Sequence, residues 1–101
     1  MTTSPWDLVE RATIAAHEAQ QRLGDVWSDY LSLTRSLNEI GRRGRHAHSM
    51  GRFDLDAHNQ YHALRPRIEA QMHVIQQAMV DVEKAETARR AAYVAAISAA
   101  S

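Results

Sequence analysis

An all-α fold is what this sequence predicts: two long amphipathic helices folded back on each other as an antiparallel helical hairpin with a coiled-coil-like seam. Three observations predict it. Ten apolar positions from Val9 to Ile40 recur three and four apart without a slip. A second stripe at helical spacing begins at Tyr61. Between them, residues 41–53 hold three glycines, four arginines and two histidines with no apolar period.

The first helix starts at Ser4-Pro5-Trp6-Asp7. Ser4 is the capping side chain, Pro5 takes the first helical position, and Asp7 is a first-turn acid. The seam then reads Val9, Ala12, Ala16, Ala19, Leu23, Val26, Tyr30, Leu33, Leu37 and Ile40. Its first half is small and its second half bulky, which calls for large residues opposite the alanines. Gly41, directly after Ile40, is the expected stop. The helix over 5–40 would be roughly 54 Å long. Gly24 in its interior costs about 1 kcal/mol against alanine, which predicts a packing reason such as room for Trp27.

Residues 41–53 are the expected connector, and the second helix is expected over about 54–99. Asp54 or Asp56 caps it. Its predicted core stripe is Tyr61, Leu64, Ile68, Met72, Ile75, Met79, Val82 and Ala85, continuing to Tyr93 and Ile97. Pro66 falls on the opposite face and predicts a bend or break near 66, with a short third helix before Pro66 as the alternative. Folding at the connector sets Leu33 beside Tyr61, Val26 beside Ile68 and Ala16 beside Met79. Residues 85–88 then reach the start of the first helix. The alanine-rich end from Arg89 to Ser101 overhangs, as a frayed terminus or as a contact.

At 101 residues the chain is expected to be one domain, 1–101. Two packed helices enclose little volume, so the pattern predicts a homodimer that completes a four-helix bundle. The absence of cysteine excludes disulfides and thiolate metal sites. The N-terminus lacks the basic start and apolar run of a signal peptide. No apolar run approaches the ~20 residues needed to cross a bilayer, so a cytoplasmic protein without a membrane partner is expected. One lysine against eleven arginines, with seventeen alanines, suggests a GC-rich bacterial or phage genome.

Net charge is zero but unevenly spread. Residues 5–40 carry six acids against three arginines, whereas 41–53 carry four arginines and no acid. Arg42, Arg43, Arg45 and Arg52 are therefore candidates for binding an anion or an acidic partner, because guanidinium suits bidentate contacts. The segment's only aromatic is Phe53 and its neighbours are acidic, which makes nucleic acid the lesser expectation. Complementing the helix dipole explains the same cations.

Six histidines raise a metal reading. His58 and His62, four apart, share a helix face and form a candidate zinc pair. The residue after His58 is Asn59, not the glutamate of a zinc-protease motif. Solvated surface histidines are the plainer expectation, and a pH-dependent interface follows from imidazoles that charge below about pH 6.5. There is no cysteine nucleophile, phosphate-cradling loop or dinucleotide fingerprint. No enzyme activity and no cofactor are expected.

The surplus apolar residues beside the seams are Leu8, Trp27, Leu31, Tyr93 and Ile97. They point to a protein-binding face. The expected function is a non-enzymatic protein–protein interaction, as a small regulator, chaperone or inhibitor.

In length and hairpin shape the chain resembles the small ESX-secreted helical-hairpin proteins, a resemblance that implies export without a leader. It lacks the Trp-x-Gly of their connector, having Met50-Gly51-Arg52-Phe53, and Tyr93 is followed at the export-signal spacing by Ile97 rather than an acid. Leu64-Arg65-Pro66 leading into a long helix is similar to small flagellar and type III export chaperones, which would imply an apolar groove for a client.

Overall fold

The computed structural model describes residues 3–101. Two α-helices in contact with each other, α1 (Pro5–Ser49) and α2 (Leu55–Ala100), form the expected hairpin. Their contacts fall into two compact units. One, Val26–Ile75, contains the connector; the other joins the described residues up to Asp25 with Gln76–Ser101. Among the described residues, no helix is long and apolar enough to cross a membrane.

α1 begins as expected. Ser4 Oγ accepts a bond from the Trp6 N–H at 3.3 Å, and the Ser4 carbonyl accepts from Asp7 and Leu8. Its end differs from the expectation. The helix does not stop at Gly41 but runs nine residues past Ile40, to Ser49. Gly44 and Ala47 are half-buried and carry the three-and-four spacing onward from Ile40; Gly41, next to Ile40, is half-buried as well. A glycine at a seam position leaves room between helices; it ends a helix only where the backbone turns left-handed. That happens at Gly51, with φ +70°. The Gly51 N–H bonds the His48 carbonyl at 3.0 Å and the Arg52 N–H bonds the Ala47 carbonyl at 2.9 Å. This pair of bonds is a Schellman stop. The connector is thus 50–54, a short αα-hairpin turn, and the arginines at 42, 43 and 45 ride on helix.

Asp54 caps α2: its Oδ1 accepts from the Ala57 N–H at 2.9 Å. α2 then continues through Pro66 without a break, so no separate helix precedes it. Pro66 faces outward between the inward residues Leu64 and Ile68. The His62 carbonyl that it leaves unbonded therefore lies on the solvent side, where water can satisfy it.

In the connector unit, Val26, Tyr30, Leu33, Leu37 and Ile40 of α1 are half-buried, as are Tyr61, Leu64, Ile68 and Gln71 of α2; Ala57 and Ile75 are buried. The α1 seam is as expected. In α2, Gln71 and not Met72 faces inward, and its Nε2 donates to the Val26 carbonyl at 2.9 Å. In the other unit, Ala16, Ala19, Ala78 and Ala96 are buried, while Met79, Tyr93 and Ile97 are exposed. The inward positions of α2 there are Ala78, Val82, Ala85, Arg89, Ala92 and Ala96. Strict seam spacing overrides hydrophobicity at each departure.

The register also moves. In the connector unit Tyr61 lies against Gly41, not Leu33. In the other unit Tyr93 reaches Trp6, so the segment after Arg89 does not overhang. Extending α1 shifts the turn along the chain. A shift of about one heptad keeps the same faces inward.

Gly24 has no packing role: it is exposed, and a Cβ there would meet nothing within 4 Å. Gly24→Ala is expected to stabilise the protein by about 1 kcal/mol. The check is a higher urea midpoint at unchanged slope; an unchanged midpoint would contradict it.

Candidate functional site

The side chains left over by the seams gather on particular sides of each unit. In the connector unit, the Gln71–Val26 bond aligns those two positions across the helices. One residue onward turns each side chain about 100° around its axis. Because the helices run in opposite directions, both turns lead to the same side, and Trp27 and Met72 emerge together. Trp27 stacks on Tyr30, with centroids 5.5 Å apart and planes at 28°. The residue is 50% exposed. Leu31, also exposed, follows one turn on.

In the other unit, Tyr93 meets Trp6 edge to face, with centroids 6.2 Å apart and planes at 73°. Ile97 lies one turn beyond Tyr93 and is exposed. Trp6 was not among the residues expected from the sequence, where it reads as part of a cap; only the register pairs it with Tyr93. Leu8 is exposed too, but two residues from Trp6 it sits about 200° around α1. It does not join the Trp6–Tyr93 side.

At the connector the four arginines separate. Arg43 is held by two acids: Nε donates to Asp54 Oδ2 and Nη2 to Asp56 Oδ2, both at 3.0 Å. It clamps the end of α1 to the start of α2 and is not free for an external anion. The Ala57 N–H lowers the Asp54 carboxyl below its ordinary value, and Arg43 adds to this; partial desolvation opposes it. Arg42, Arg45 and Arg52 have no carboxylate partner among the described residues. Arg42 lines a hollow with Ser36, Glu39 and Gln60. Arg52 follows the Schellman stop. Arg45 folds back over Gly41: a Cβ on that glycine would lie 3.2 Å from Arg45 Nη1 and 3.6 Å from Tyr61 Cε2.

Beside Arg45 lies a groove of about 570 Å³. Ile40, Gly41, Gly44, Ala57 and Tyr61 contribute to it, together with Phe53, Arg45, His48, Asp54 and His58. From the sequence, residues 41–53 are expected to be connector, which offers no helical surface from which to build a groove.

His58 and His62 do come together, with ring centroids 4.4 Å apart. Phe53 lies 5.4 Å from His58, and Tyr61 5.9 Å from His62. Among the described residues, no three His, Cys, Asp or Glu side chains cluster to hold a metal. The pair alone is short of the three protein ligands usual for catalytic zinc.

No family model, curated protein or solved structure matches this chain.

Proposed function

We propose that this protein acts by docking an apolar helical face on another protein, first of all on a second copy of itself, and that it is not an enzyme. The surface left uncovered carries this reading. The chain exposes 7658 Å², whereas a globular monomer of its 11.4 kDa exposes about 5,800 Å². A standard interface hides about 800 Å² per partner, so the surplus is ample for stable pairing. Much of it is large and apolar: Trp27, Leu31 and Met72 in one unit, Trp6, Tyr93 and Ile97 in the other. Two hairpins packed by such sides make a four-helix bundle.

Sedimentation equilibrium tests the reading. The expected mass is twice 11.4 kDa. Trp27→Asp is expected to weaken pairing by at least about thirtyfold, the effect of an interface hot spot. A monomer at every concentration would overturn self-pairing.

A further inference from the structure

We infer that the groove beside the connector binds a small carboxylate with an apolar body, seated against Gly44 of α1 and held at its charged end by Arg45. The groove exists because Gly44 stands at a seam position where Val26, Tyr30, Leu33, Leu37 and Ile40 before it carry large side chains. A Cβ on Gly44 would meet nothing within 4 Å, so the space in front of it is open. Ile40, Ala57 and Tyr61 supply the apolar floor. Phe53, 72% exposed, borders it with apolar surface that a ligand would cover. The volume of about 570 Å³ falls within the range of small-molecule sites.

The charge lining this floor that has no partner among the described residues is Arg45. Arg45, His48 and His58 line the groove, and its only acid is Asp54. The Asp54 oxygens are already engaged, Oδ1 by the Ala57 N–H and Oδ2 by Arg43. Arg45 has no carboxylate partner among the described residues, and guanidinium matches a carboxylate with two parallel bonds. An inorganic anion would satisfy the rim and leave the floor wet. An alcohol would cover the floor and leave Arg45 unmatched. A carboxylate on a short hydrocarbon body does both.

The test uses octanoate as probe, with 1-octanol and inorganic phosphate as its two halves, followed by amide NMR on the whole chain. Octanoate is expected to give saturable shifts confined to residues 40–61. The halves are expected to bind about tenfold more weakly or worse, the loss of one charge-assisted interaction. Arg45→Gln should cost a similar factor. Gly44→Leu should fill the groove and abolish binding, with helicity kept because leucine favours helix over glycine. Gly44→Ala is the milder control: its methyl enters open space, so the fold stands and affinity falls. Trp27→Asp should bind octanoate like the parent, which separates this site from self-pairing. Equal binding of octanol and octanoate, unchanged affinity in Arg45→Gln, shifts spread along both helices, or loss of binding in Trp27→Asp would each overturn the site.

Discussion

Replacing Ile75 with alanine is expected to destabilise the protein by about 3 kcal/mol, within the range for emptying a buried isoleucine site. Among the described residues, Ile75 is the only large side chain in the buried set, at 6% exposed; the others are Ala16, Ala19, Ala57, Ala78 and Ala96. Alanines let two backbones approach but bury little area themselves. The cohesion they do not supply rests on the few larger side chains at the seams, and Ile75 is the most enclosed of them. Urea unfolding at fixed protein concentration measures the change; fixing the concentration matters because pairing adds to apparent stability. A loss well under 1 kcal/mol would mean that the neighbours collapse into the vacated space.

The second large effect is at the turn. Asp54→Ala removes both the α2 cap and one of the two carboxylates that hold Arg43. The variant should unfold at clearly lower urea than the parent at neutral pH. The gap should close in acid. The folded-state carboxyl titrates below its ordinary 3.8, so its contribution is fully present above that value and is lost as pH falls through the folded-state pKa. Asp54→Asn separates the two roles, because asparagine also caps helices but carries no charge for Arg43. If the parent and Asp54→Ala stay equally far apart at pH 2, ionisation of Asp54 does not underlie the difference.

The α1 seam was legible as far as Ile40: each of its ten expected positions faces inward, because strict spacing and hydrophobicity agree there. In α2 they disagree. Met72 and Met79 look like core and are not, because Gln71 and Ala78 hold the seam phase. Gln71 is tolerated inside because its amide finds a backbone carbonyl. The stop at Gly51 was misread as Gly41, since sequence does not display which glycine takes positive φ. Register was harder still: a heptad pattern looks the same after a slip of seven. The exposed apolar candidates could be picked out singly, but their grouping depends on register, which is why Trp6 escaped notice. The engagement of Arg43 was hidden for the same reason, as its two acids lie across the turn.

The alanine seam has a mechanical consequence. Small, nearly identical side chains offer little steric resistance to one helix sliding along the other. Polar bonds between the helices add to alignment. Gln71 grips the Val26 carbonyl in one unit. In the other, Glu86 accepts from Gln20 across the helices while pairing with Arg89 on its own. These few bonds act as graduations on a ruler, and the alanine stretch of the seam is its unmarked edge.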